Sequence, residues 1–432
     1  MAESSQVSRR DFLKASAAAS TAALVSDIGA RAFAQGTDTL KIGLVGCGGR
    51  GIGAAGNCVA ADPGVKIWAL GDLFKDKAEA ALKSVKGLGA KAEVTPERCF
   101  SGFNNYKQVT DSGVDIVLLC TPPGFRPQHM KYAVEKGKHV FLEKPCATDP
   151  AGVRAILEAS QAATERKLTV VAGTLYRHSP CYRETVKRIH DGMIGKITGG
   201  QVYYNTGELW HRGSDPAWSQ AEYQLRNWYY FTWLSGDFNV EQHVHNLDVM
   251  HWVMGGPPVS CTSIGGRQKR TDERFGNIYD HFATDYEYPD GVHILSMCRQ
   301  QNGTTPKNTN HYLGTKGRTD PSNWIRLFDQ TDNKPTWAFQ NPAPFDGYVL
   351  EHKAMIASIR GGEYRNEGKQ QAESSLIGIM ARMSAYSGKE VTWDFALNKS
   401  KLDLWPEEWK NGEQFGPMKA PPVPIPGTAR LI

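Results

Sequence analysis

The chain has 432 residues, 40% hydrophobic and 22% charged. That length and balance suit two or three packed domains and exclude a chain that is disordered as a whole. Fifty basic residues against 45 acidic ones give a formal charge of +5, scattered along the chain rather than gathered into tracts, so no nucleic-acid partner is expected. Small molecules are. The eight cysteines, at 47, 58, 99, 120, 146, 181, 261 and 298, form neither CxxC pairs nor a disulfide scaffold. Past about the first forty residues no apolar run approaches the ~20 residues needed to cross a bilayer, so no membrane span is expected.

Residues 1–34 read as an address rather than a fold. Ser8-Arg9-Arg10-Asp11-Phe12-Leu13-Lys14 precedes an alanine-rich, mildly apolar stretch, and Ala32-Phe33-Ala34 supplies a small-x-small cleavage site. That order is a twin-arginine export signal and predicts a periplasmic or otherwise extracytoplasmic protein. Such a route takes proteins that fold first, so a ligand loaded in the cytoplasm can travel with the chain.

Leu40–Val45 is a short apolar strand that runs directly into Gly46-Cys47-Gly48-Gly49-Arg50-Gly51 and an expected helix. This is G-x-G-x-x-G in a strand–turn–helix context. Gly46 permits the tight turn, Gly48 and Gly49 leave the backbone open to a pyrophosphate, and Gly51 allows the helix to pack close to the strand. A second strand, Val65–Leu70, leads to Asp72, about 20 residues beyond the loop, where a carboxylate accepts hydrogen bonds from a ribose and repels a 2′-phosphate. NAD(H) is therefore the expected cofactor. Asp72 as an ordinary strand-end turn residue is the alternative.

Two more strands follow, Val114–Cys120 ending at Thr121-Pro122-Pro123 and His139–Leu142 ending at Glu143-Lys144-Pro145. Their unbroken apolar runs suit a parallel sheet covered on both faces. Between them Pro127–Lys136 reads as a helix that stops at Gly137. Ligands of such sheets bind beyond the carboxyl ends of the strands, which is where Asp72, Thr121 and Lys144 fall.

These residues carry a family resemblance. Gly46–Gly51, Cys120–Pro123 with His129, the run Gly137–Pro145, and the later Gly173 and Arg177 resemble the glucose–fructose oxidoreductase, inositol dehydrogenase and rhizopine-catabolism (Gfo/Idh/MocA) family, over essentially the whole chain after the signal. The resemblance implies a Rossmann domain, placed at residues 38–167, then an α/β domain at 168–400. The second domain would carry an open, mostly antiparallel sheet, the substrate site and often an oligomer interface, so a homo-oligomer is expected. Residues 401–432 are set apart as a Pro-rich tail. It further implies that Lys144 and a later histidine flank the nicotinamide, that Thr121, His129 and Glu143 belong to the cofactor site, and that Arg177, with Tyr176 and His178, lies near the substrate.

The matching later stretch is Gly236–Asp248. If it is one helix, Glu241, His245 and Asp248 stand at i, i+4 and i+7 on one face while His243 points elsewhere. Two histidines at i and i+2 lie about 200° apart on a helix, which argues against Glu241, His243 and His245 as ligands of one metal ion. No metal is assigned. Oxidation of a secondary alcohol needs a base for the hydroxyl proton; His245 takes that role, and Lys144 orients the hydroxyl or shares the proton. Glu241 stands where the family more often has aspartate and His243 where it often has glycine. The aromatic run Trp228–Trp233 suits either a sugar platform or a core.

Strands are expected at 200–205, 259–265, 281–288, 291–299 and 310–314, with a hairpin at Pro289-Asp290-Gly291, and helices at 349–359 and 371–387. The expected activity is hydride transfer between a sugar, polyol or related cyclic alcohol and a retained NAD(H). The alternative is an NAD-dependent, redox-neutral glycosidase or lyase that oxidises, eliminates and re-reduces.

Overall fold

The computed structural model describes residues 39–409 and 412–432; the export signal expected at 1–34 lies outside them. Leu40–Val45 (β1), Val65–Asp72 (β2), Cys99–Ser101 (β3), Ile116–Leu119 (β4), His139–Leu142 (β5) and Val170–Ala172 (β6) form one sheet in the order β3-β2-β1-β4-β5-β6. Every pair in it is parallel. All four residues of β4 are buried, which is why its sequence shows no alternation: helices cover both faces. The sheet runs past the boundary expected at residue 167, because β6 hydrogen-bonds along β5 and completes the sixth position.

Nine strands make the second sheet: Ile197–Thr206 (β7), Ser260–Gly266 (β8), His281–Tyr288 (β9), Val292–Gln300 (β10), Lys307–Gly314 (β11), Gly317–Asp320 (β12), Trp324–Leu327 (β13), Trp337–Ala338 (β14) and Val391–Thr392 (β15). All pairs are antiparallel except β7 with β10. Burial alternates along β9, since one face meets helices and the other is open. The expected hairpin joins β9 to β10, with Asp290 at φ 65°.

The long helix Gly368–Ser387 is buried along most of its length, polar residues such as Gln371, Ser374 and Arg382 included, and lies against β8 and the helix Pro150–Glu165. It is the common core member of both halves. The helix Gly347–Gly361 returns to pack on Gly49–Ala61, the helix that follows the glycine loop. The chain's last third therefore braces its first.

Candidate active site

The glycine loop is shaped by contacts that only glycine tolerates. Gly46 has φ +97°, and a Cβ there would lie 2.6 Å from the Cys120 backbone; at Gly51 it would lie 1.9 Å from the Gly46 carbonyl oxygen. Gly48 and Gly49 differ: a Cβ at either meets nothing within 4 Å. The helix Gly49–Ala61 begins there with no side-chain cap, so its first N–H groups face open space and fit the pyrophosphate of a dinucleotide. Asp72 turns its carboxylate back to the loop, accepting from the Cys47 N–H at 2.7 Å and the Phe74 N–H at 2.9 Å. Burial pushes its pKa up and these two bonds oppose that. Its remaining lone pairs face the cleft it lines.

That cleft has a volume of about 930 Å³ and runs between the two halves. It brings together Gly46, Gly48, Gly49, Gly51, Asp72, Thr121, His129, Glu143, Lys144, Glu241 and His245. Thr121 Oγ1 lies 3.3 Å from His129 Nδ1, and the imidazole stacks on Tyr106 at 4.2 Å. Burial, then Arg126, lowers the His129 pKa to about 3, so this ring is neutral at physiological pH.

Lys144 reaches across from the first half to the second. Its Nζ donates to the Glu241 carbonyl oxygen at 2.8 Å and to Glu241 Oε1 at 3.1 Å. Gln242 Nε2 donates to the other carboxylate oxygen at 2.7 Å, and Tyr204 holds Gln242 at 3.0 Å. An ammonium has three N–H donors, so one remains for a ligand. Neither ring nitrogen of His245 has a partner among the described residues; Tyr176 touches the ring edge-on at 5.7 Å. Burial first, then the positive charges of Lys144 and Arg50, hold the His245 pKa well below 6.5. A neutral imidazole with free nitrogens can accept a proton.

Glu143 is fixed from behind by Arg50, whose Nε lies 2.6 Å from Oε1, and Arg50 also reaches Glu351 at 3.0 Å. The sequence reading missed both Arg50 and Glu351. Arg50 carried a signal, since it is the charged residue inside the glycine loop; Glu351 carried none.

The single helix expected over 236–248 is two. Phe238–Glu241 ends, Gln242 and His243 turn, and Val244–Met254 begins. His243 Nε2 sits 2.6 Å from Ser296 Oγ, buried against the second sheet, so the two histidines part as the spacing predicts. Asp248, which the spacing puts on the face of Glu241 and His245 and which is expected near the substrate, is absent from the cleft lining; its carboxylate accepts from Arg177 Nε at 3.0 and 2.9 Å and from Ser374 Oγ at 2.7 Å. Arg177 and His178 lie outside the lining as well; His178 pairs with Glu367 at 3.4 Å. Tyr176 stays one ring removed, stacked on Tyr182 at 4.6 Å. Of the aromatic run, Tyr229, Tyr230, Phe231 and Trp233 are core, Tyr229 at the edge of the cleft, whereas the part-buried Trp228 lines the cleft beside Trp210.

Residues 40–173 match the family described as "Oxidoreductase family, NAD-binding Rossmann fold", and residues 182–320 match the Gfo/Idh/MocA C-terminal domain. Residues 6–26 match the twin-arginine translocation signal. The scyllo-inositol 2-dehydrogenase (NAD(+)) of Bacillus subtilis strain 168 is 27% identical over 59% of this chain and 65% of that protein. A 2,7-anhydro-N-acetylneuraminate hydratase of Escherichia coli K12 is 26% identical over 48% of this chain and 52% of its own length. The chain thus spans less than two thirds of these relatives. The WlbA dehydrogenase of Bordetella pertussis, solved with NADH and UDP-GlcNAcA, superposes with a TM-score of 0.63 at 19% identity, covering 82% of this chain and 98% of that one. With a glycine-loop sheet, a mostly antiparallel second sheet and both domain matches in their expected order, the chain belongs to the Gfo/Idh/MocA oxidoreductase family.

Proposed function

We propose that this protein moves hydride between a secondary alcohol of a sugar, polyol or related cyclic alcohol and NAD(H), in an extracytoplasmic compartment. The observation that carries it is the pairing of Lys144 with Glu241 beside a neutral His245, at the carboxyl edge of the glycine-loop sheet. The nicotinamide, when bound, supplies the hydride acceptor or donor. Glu241 holds the Lys144 ammonium so that its third N–H meets the substrate oxygen as charge develops there, and His245 takes the hydroxyl proton. Trp210 and Trp228 offer flat apolar faces for the C–H side of a ring. Asp72 favours NAD(H) over NADP(H) by repelling a 2′-phosphate.

The twin-arginine signal match supports export of the chain in folded form. An extracytoplasmic compartment offers little free NAD, so the cofactor travels with the protein and is regenerated in place. Titration of NAD(H) against NADP(H), followed by a carbohydrate screen read by bound-nicotinamide fluorescence, tests the assignment; protein that binds neither dinucleotide defeats it.

Some relatives lend weaker support to a second reading: beside the inositol dehydrogenases stand a hydratase of an anhydro-sugar and "Glycosyl hydrolase family 109 protein". A base and a nicotinamide that start an oxidation also start a redox-neutral elimination. Cleavage of nitrophenyl glycosides without net change in NADH absorbance selects that reading over the dehydrogenase.

A further inference from the structure

The cleft is crossed a second time, away from Lys144. Arg226 ends the helix Gln220–Arg226 of the second half, and Asp76 stands in the first turn of Lys75–Val85, just after Asp72 in the dinucleotide half. The Arg226 guanidinium lies 3.3 Å from Asp76 and is set over the Phe74 ring at 3.9 Å from its centroid. Trp218 takes its other aromatic contact at 4.9 Å, and Glu222 fixes its Nε at 2.8 Å. This bridge joins residues 150 positions apart.

Phe74, Lys77, Trp218, Leu225 and Arg226 all line the cleft, so the bridge is its roof at the Asp72 end. The roof is braced from outside. Phe415 stacks on Phe74 at 5.8 Å, the Ala221 N–H donates to the Gly416 carbonyl at 3.2 Å, and Gln224 Nε2 donates to the Lys419 carbonyl at 3.2 Å.

We propose that Arg226, Asp76 and Phe74 form a latch that retains the adenosine end of NAD(H), so that release of the dinucleotide requires this inter-half contact to open. The inference rests on the NAD(H) reading above and deepens it. A molecule reaching from the glycine loop to Asp72 lies beneath the bridge, and it leaves only if the Arg226 helix swings away from Phe74. The latch is built for a slow but finite release. Asp76 is largely exposed, with 59% of its side chain accessible, so its ion pair is screened by salt; the stacking of guanidinium on Phe74 carries the remainder. Arg226, Asp76 and Phe74 are positioning residues and touch no reacting atom.

The test loads the full-length protein with NADH, mixes it with excess NAD+, and follows the decay of bound-NADH fluorescence. Arg226→Ala is expected to speed release about tenfold, the joint effect of an ion pair and a cation–π contact. Asp76→Asn should speed it a few-fold, and Lys187→Ala, which breaks a remote surface pair with Asp191, should leave it unchanged. NaCl at about 1 M, where the screening length is about 3 Å, should accelerate the wild type and leave Asp76→Asn nearly unmoved. Should Arg226→Ala fail to fold, the exposed Asp76 and the salt series decide the matter. NADH bound and released at the wild-type rate by Asp76→Asn, with no salt effect, overturns the latch alone. Wild-type protein without any NADH signal overturns the cofactor reading instead.

Discussion

Two charge pairs sit on one stretch of chain, Lys144–Glu241 at its start and Arg177–Asp248 at its end, and they do different work. Asp248 accepts from Arg177, Gln370 and Ser374, and Arg177 also donates to the Asp248 carbonyl. Both partners are tied chiefly to protein groups, and neither lines the cleft. Lys144 spends two donors on Glu241 and keeps one, and it lines the cleft. A pair bound by protein away from the cleft holds structure, and a pair at the cleft with a donor to spare can hold a substrate. Sequence spacing alone gave both acidic residues the same face; hydrogen-bond accounting separates them.

The largest effect that could break this contrast is on turnover. Lys144→Ala and His245→Ala should each lower kcat by about 10²–10⁴-fold, the usual worth of a positioned acid or base; His245→Ala should leave the melting temperature little changed, whereas Lys144→Ala also strands the buried Glu241 carboxylate and lowers it. Equal activity of either variant would remove it from the chemistry. His243→Asn should do the reverse, costing stability through its buried Ser296 contact while sparing kcat. If His243→Asn loses more turnover than His245→Ala, the two histidines have exchanged roles.

Asp248→Ala should strike the other pair. It leaves the largely buried Arg177 guanidinium beside two former co-donors, Gln370 and Ser374, and removal of one partner of a buried pair costs about 3–5 kcal/mol. Denaturant unfolding should show that loss, while kcat per folded molecule stays within a few-fold of wild type. A folded Asp248→Ala protein with lost kcat would instead place Asp248 in the catalytic machinery.

Asp72→Ala should have a smaller effect, confined to the cofactor. Removing the carboxylate abolishes the repulsion of a 2′-phosphate, so the preference for NADH over NADPH should fall by about tenfold, the scale of one lost charge-assisted hydrogen bond. Fluorescence titration with the two dinucleotides measures it. An unaltered preference would leave Asp72 as the brace of Cys47 and Phe74 that the structure also shows it to be.

What could be read from the sequence follows from range. The glycine loop was legible because its turn, its open backbone and its helix start lie within six consecutive residues. The strand β4 was legible because both its faces are buried, and β9 because one is not. Strands of four residues such as Gly317–Asp320 and Trp324–Leu327 are too short to show a period and gain their identity only from neighbours. The parallel pairing of β7 with β10 is likewise invisible locally. So is the reach of Arg50 to Glu351 across 301 positions. The break at Gln242–His243 arises because His243 is drawn to Ser296 and Gln242 to Tyr204, both tertiary partners. Asp248 is drawn to Arg177, Gln370 and Ser374, which are also tertiary partners.

The finest test concerns the proton. Burial, then the charges of Lys144 and Arg50, push the His245 pKa well below 6.5, so the base form persists as pH falls through 6.5. A base whose pKa is depressed loses activity only when pH drops through the lowered value, and the acid limb of kcat/KM for alcohol oxidation should lie well below that of an ordinary imidazole. Lys144 supplies the second of these causes, so Lys144→Met should raise the pKa of His245 toward 6.5 without removing the burial. Resolving the His245 ring signal by NMR across a pH series, in the wild type and in Lys144→Met, reads this directly and needs no turnover. A ring that titrates at 6.5 in both proteins would mean that solvent reaches it freely, and the cleft would then be too open to hold His245 as a neutral base.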